Sequence, residues 1–214
     1  MKKVLRKIKF IVSIKRFLVK FYENFYIKYL SRRNCLDLLL SRSLPVYRKN
    51  KSVFKLQDLG LITQARAESF ERKEPDTIDW IESFKGKCEV IDVGANVGVY
   101  SLFCASKGHN VLALEPQCFN FSLLVKNIFI NNFSKQIKAF PISLHYKGTL
   151  SYLNLFEGST CGTANSTFDR KVDAYGKSRD DYVDSHGSVG MTLDKLVEDL
   201  QISPHHIKID VDGN

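Results

Sequence analysis

The chain has 214 residues, 44% apolar content and a formal net charge of +9, enough for one domain with its own core plus an appendage. Residues 1–33 hold eleven Lys and Arg against one acid, Glu23, and residues 34–214 balance at −1. A near-neutral body argues against a nucleic-acid-binding face, so no nucleic-acid partner is expected. Five scattered cysteines exclude a disulfide framework and a zinc site, and they fit a reducing, cytoplasmic compartment.

In chain order, residues 4–30 come first. Apolar and aromatic side chains recur there at three- and four-residue spacing, Lys and Arg fill most gaps, and no Pro or Gly intervenes. This pattern predicts a basic amphipathic helical arm over 1–33. Its longest charge-free run, Phe10 to Ile14, is too short for a membrane span or a signal peptide. Two roles stay open for it: peripheral contact with an anionic membrane surface, or packing on protein.

Residues 34–86 are a lead-in. The pattern predicts a short helix over 35–43, a strand over 50–56, and a helix from Asp76 to Phe84 with Asp76 as its N-cap and Gly86 past its end. From residue 87 strands and helices alternate. Strands are expected at 89–92, 110–115, 137–143 and 207–211, with a hairpin-like strand at 148–155. Helices are expected at 97–107, stopped by Gly108, at 119–131, and at 192–200 with Thr192 as N-cap. The polar stretch 157–190 reads as a long loop of the kind that covers a site. Nothing selects a role within it for Asp169, Asp173, Tyr182 or His186. Cys88 and Cys104 read as core residues, and His205-His206 as a turn into a strand. The alternation predicts an α/β fold with a doubly wound, mostly parallel sheet.

One stretch carries the chemistry. Val90-Ile91-Asp92-Val93-Gly94-Ala95-Asn96-Val97-Gly98 is an apolar strand ending in a tight turn, and Ala113-Leu114-Glu115-Pro116 ends the next strand in an acid. Gly94 supplies backbone freedom at the strand exit, Asn96 tolerates left-handed geometry, and Gly98 permits close approach to the helix start. Glu115 offers two acceptor oxygens to the vicinal hydroxyls of a ribose. Asp92 places negative charge where a cationic cofactor would gain from it. A dinucleotide has the opposite need, since its pyrophosphate is anionic. The G-x-G-x-x-G fingerprint is also missing, because position 96 is Asn. The pattern favours S-adenosylmethionine as the cofactor.

These residues resemble the FkbM family of S-adenosylmethionine-dependent methyltransferases over roughly residues 88–214. The resemblance rests on residues 90–98 and 113–116, on Asn120 to Ile128, on Lys147-Gly148-Thr149-Leu150, on Met191-Thr192-Leu193-Asp194-Lys195-Leu196 and on Ile207-Lys208-Ile209-Asp210-Val211-Asp212-Gly213. It implies a class I methyltransferase fold and methyl transfer to an oxygen of a sugar or another small natural-product or glycan acceptor. By position it implies Gly94, Asn96 and Gly98 as the cofactor floor with Asp92 at its edge. Glu115 would hold the ribose, and Ser143, ending the third strand, would lie near the adenine. Asp210 would face the methyl-transfer centre as catalytic base or ammonium anchor, with Asp212 as second candidate.

The family continues beyond the last of these motifs. A domain over 87–214 that lacks the C-terminal half of the sheet is therefore expected, with the strand at 207–211 on an apolar edge. Two other readings stay open: a non-catalytic methyltransferase-like chain whose arm binds membrane or a partner, and a nicotinamide-dependent oxidoreductase.

Overall fold

The computed structural model describes residues 42–156, 162, 166–171, 177–178 and 182–211. The basic arm over 1–33, nearly all of the helix expected over 35–43, and Asp173 and Asp212 lie outside them. The described residues from Ser43 onward belong to one packed unit.

The described chain opens with a hairpin, β1 (Ser43–Arg48) and β2 (Lys51–Gln57). Lys49 and Asn50 turn it with φ of 50° and 62°, the pair of left-handed residues that a two-residue hairpin turn requires. The sequence pattern anticipates β2 and misses β1. Two helices follow, α1 (Leu61–Lys73) and α2 (Pro75–Glu82). The start predicted at Asp76 is corrected. Glu74 occupies the N-cap position without a side-chain cap bond, and Pro75 opens the helix, where its missing N–H costs nothing.

The central sheet is parallel, with β10 (His206–Ile209), β3 (Glu89–Val93), β4 (Asn110–Leu114) and β5 (Ile137–Phe140) side by side in that order. The fourth parallel strand lies beside the first, and the second and third run away on the other side. This is the Rossmann-like order of a doubly wound sheet, the α/β fold of class I methyltransferases. Side chains alternate strictly between its faces. Val90, Val111 and Ala113 join the core formed with α3 (Val99–Ser106), α4 (Cys118–Ile130) and the hairpin. Ile91, Val93, Leu112 and Leu114 face α5 (Leu193–Leu200) through Leu196. Thr192 caps α5 as predicted, accepting the Lys195 N–H at 3.2 Å. Strand β10 is the edge of this sheet, with Ile209 61% exposed.

The single strand expected over 137–143 is two. Pro141 has no N–H for the ladder. The chain leaves the parallel sheet at Phe140 and enters a second sheet as β6 (Ile142–Leu144). That sheet runs β6, β9 (Asp184–Met191), β7 (Thr149–Leu155), β8 (Ser166–Phe168). The long loop expected over 157–190 therefore contains two strands. Strand β9 is mostly polar, so its pattern hides a partnership with β7 that runs from Thr149↔Gly190 to Leu155↔Asp184.

Cys88 and Cys104 are buried and free, as expected. His205 accepts the Glu89 N–H at 3.0 Å, and His206 stacks on Phe84 with centroids 3.7 Å apart. Both histidines seat β10 against the body.

One buried amide ties three elements together. Asn127 of α4 donates to the Val97 carbonyl and accepts the Gln57 N–H, each at 2.8 Å. Asn127→Leu strands both backbone groups in the core and is expected to lower stability by roughly 2–4 kcal/mol. A shift in the urea midpoint at unchanged slope checks this. A loss under about 0.5 kcal/mol would mean that other groups or water replace the amide.

Candidate functional site

A cleft opens at the carboxyl ends of β3 and β10, where the strand order reverses and open α/β sheets hold their ligands. Two turn residues, Gly94 and Asn96, line its floor, and Gly98 lies behind them. Gly94, Asn96 and Gly98 have φ of 78°, 52° and 93°. The Gly94 and Ala95 N–H groups both donate to the Leu114 carbonyl at 2.9 Å, which clips the turn to the end of β4. Because of these left-handed residues α3 begins at Val99, two residues later than the pattern suggests.

Glu115 follows β4 directly and is 5% exposed. One carboxylate oxygen accepts the Asn96 N–H at 2.7 Å and the other the Gln117 N–H at 2.9 Å. Burial pushes its pKa up to about 7, against the pull of these donors and of Asn120. With Asn96, Gln117 and Asn120 all donating to it, the carboxylate still has acceptor capacity for a ligand hydroxyl. Ser143, now on β6 rather than at the end of the parallel strand, is 5% exposed, and its hydroxyl has no hydrogen-bond partner among the described residues. It lines the cleft with Ile142, Leu144, Leu153 and Phe168.

The other end of the cleft is charged. Lys208 of β10, 9% exposed, donates to Asp210 at 3.1 Å and lies 3.8 Å from Asp92 and 4.8 Å over the Tyr100 ring. Asp210 lines the cleft with its side chain 58% exposed. Asp92 is 2% exposed and accepts the Ser101 hydroxyl at 2.6 Å. Burial raises its pKa, opposed by Lys208 and Ser101.

Gly94, Asn96, Glu115, Ser143 and Asp210 thus share one cleft, while Asp92 and Gly98 sit behind its lining. Asp92 points inward because residues 90, 92 and 94 alternate with the α5-facing positions. A Cβ on Gly98 would lie 2.5 Å from Leu124, so this glycine serves helix packing. The sequence reading misses Arg66 and Lys73 of α1, Asn120, and Phe168 of β8, all in the lining. Asp169 accepts Ser151, His186 accepts the Cys118 N–H at 3.4 Å, and Tyr182 lies under Lys171; none of the three lines the cleft.

The arrangement suits an elongated ligand with a flat apolar end, a vicinal diol at Glu115 and a charged end at Asp210. A second hollow, lined by Ile91, Leu112, Phe140, Leu200 and Ile202, lies at the amino ends of the strands, away from these groups. Among the described residues no group of His, Cys, Asp and Glu is placed to hold a metal ion, and no helix is long and apolar enough to cross a membrane.

No protein-family model matches the chain, and no curated protein matches it in sequence. Among solved structures, a human methyltransferase 10 domain containing protein is 29% identical at TM-score 0.30 over 32% of this chain and 38% of its own. A SAM-dependent methyltransferase from Agrobacterium tumefaciens is 13% identical at TM-score 0.34, over 48% and 33%. TYW2 from P. horikoshii in complex with MeSAdo is 20% identical at TM-score 0.34, over 47% and 36%. The chain spans about a third of the length of these three proteins.

Proposed function

We propose that the chain is an S-adenosylmethionine-dependent methyltransferase acting on a hydroxyl of a sugar or another small natural-product or glycan acceptor. The observation that carries the reading is Glu115. It is a buried carboxylate at the end of β4, oriented by two backbone N–H groups, facing a cleft that also holds the orphaned hydroxyl of Ser143. A ribose diol satisfies the first and an adenine nitrogen the second. The hydroxyl acceptor comes from the family resemblance, and the proposed peripheral membrane contact from the basic amphipathic pattern of residues 1–33.

A second observation favours this cofactor over a nicotinamide dinucleotide. Ser101, in the first turn of α3, is hydrogen-bonded to Asp92. An acidic group is therefore already bonded at the helix start, close behind the lining, where a pyrophosphate would look for its donors.

When bound, the cofactor supplies an electrophilic methyl group on a sulfonium. The chain's own groups do the rest. Glu115 and the apolar lining fix the nucleoside, and the cleft walls exclude water. A hydroxyl acceptor must lose its proton as it attacks. Asp210, hydrogen-bonded to Lys208 and open to the cleft, is the carboxylate placed to take that proton or to anchor the cofactor's ammonium. Asp92 and Gly98 support the site from behind.

Titration calorimetry with S-adenosylhomocysteine and, separately, NAD tests the reading. Binding of the first alone, lost in Glu115→Ala, is expected. Preference for NAD, or equal binding by Glu115→Ala, would overturn it.

A further inference from the structure

Helix α1 contributes two cations to the cleft. Thr63 and Phe70, 1% and 2% exposed, mark its buried face. Arg66 and Lys73 are seven residues apart and so share one stripe beside that face; both line the cleft. Arg66 is half-buried, and one edge of its guanidinium, Nε and Nη2, donates to the Gly162 carbonyl. The Gly162 N–H in turn donates to Asn120 at 2.6 Å. The guanidinium is thereby held in a fixed orientation between α1 and the start of α4.

The other half of the fork has no partner among the described residues. Among the described residues no carboxylate lies within ion-pair reach of Arg66; Asp210 and Glu115 act on it only from a distance. The acids of the cleft are otherwise engaged, Asp92 and Asp210 around Lys208 and Glu115 by backbone N–H groups. Among the described residues Lys73 has one ion-pair partner, Glu74, at 3.9 Å. A partly desolvated guanidinium without a counterion is unfavourable, and its planar fork matches a carboxylate or phosphate. Arg66 and Lys73 also line an adjoining hollow with Tyr100, Lys208 and Asp210, so the charged end of the cleft continues past Gly94.

We propose that Arg66, supported by Lys73, is an oxyanion-binding subsite of this cleft. Resting on the cofactor reading above, the oxyanion is either the carboxylate at the amino-acid end of the cofactor or a carboxylate or phosphate on the acceptor. The first source explains why acid and base stand together at this end, since Asp210 and Arg66 then divide an ammonium and a carboxylate borne on one carbon.

Three titrations into wild type, Arg66→Gln and Arg66→Lys test the proposal. The probes are S-adenosylhomocysteine, methylthioadenosine, which lacks the amino-acid end, and inorganic phosphate added to the S-adenosylhomocysteine-loaded protein. If the cofactor carboxylate is held, Arg66→Gln weakens S-adenosylhomocysteine at least tenfold and leaves methylthioadenosine unchanged. If the acceptor's anion is held, both nucleosides bind as before and saturable phosphate binding is lost. Arg66→Lys, which keeps charge without the fork, is expected to lose less, and it carries the comparison if Arg66→Gln does not fold. Equal weakening of both nucleosides would reduce Arg66 to a prop for Gly162 and overturn the proposal, as would no change in any arm. If wild type binds neither nucleoside, the cofactor reading falls. Phosphate titrated into the free protein, with and without Arg66→Gln, then decides the subsite by itself.

Discussion

Gly94→Ala is expected to cost roughly 3–5 kcal/mol of stability and to abolish ligand binding in whatever fraction remains folded. Two effects add. The backbone at Gly94 has φ of 78°, where a side chain is strained. A Cβ there also runs into the carbonyl oxygen of Asp210. That carbonyl cannot move away freely, because the Asp210 N–H is bonded to the Val93 carbonyl at 3.0 Å, the last rung joining β10 to β3. Either the turn or the end of β10 must give, and Asn96 and Asp210 lie on the two sides of that contact. Gly108→Ala is the control. Its φ is 94°, but no atom lies within 4 Å of the added Cβ, so the strain alone, on the order of 1 kcal/mol, is expected. Urea unfolding of both variants checks the difference. Equal losses at the two positions would show that the Gly94 contact with Asp210 does not matter.

Glu115 should make both stability and ligand affinity depend on pH, in opposite directions. Burial holds its pKa at about 7 against an ordinary 4.5. Between those two values the unfolded chain has released a proton that the folded chain still holds. Stability therefore falls as pH rises through that window, by on the order of 3 kcal/mol, and levels off above it. A ribose donates its hydroxyl protons and so prefers the ionised carboxylate. Affinity for S-adenosylhomocysteine is then expected to rise about tenfold per pH unit up to about 7 and to stay flat beyond, with one proton released per ligand bound. Calorimetry in two buffers of different ionisation enthalpy measures that proton. Glu115→Gln should remove both dependences. Affinity unchanged between about pH 5.5 and 8 would mean that the carboxylate does not meet the ligand.

What the sequence disclosed and what it hid divide along the range of the interactions. The turn at 94–98, the acid at 115 and the Thr192 cap are written in a few neighbouring residues, so their types and spacing suffice. The parallel order follows from the alternation of elements. Strand β1 and helix α1 were missed because their stability is tertiary; α1 buries only Thr63 and Phe70 of its thirteen residues, too few to mark a period. Strand β9 carries Asp184, Ser185, His186, Gly187 and Ser188, and only its pairing with β7 makes it a strand. Ser143 changed sheets because Pro141 interrupts a run whose side-chain pattern continues unbroken. Arg66 joins the site through a chain of contacts spanning positions 66, 162 and 120, a distance in sequence that no local pattern reports. Asp92 shows the converse: the motif singles the residue out, but strand alternation turns the carboxylate inward toward Ser101 and Lys208.

The most direct test of the central claim is where a ligand touches the chain. Amide chemical shifts of isotopically labelled protein should be followed during titration with S-adenosylhomocysteine. The account predicts saturable shifts at Gly94, Asn96, Gln117 and Ser143, with Lys135 and Ile202 at the opposite end of the sheet unmoved. Shifts centred on Lys135 and Ile202, or none at saturating ligand, would contradict it.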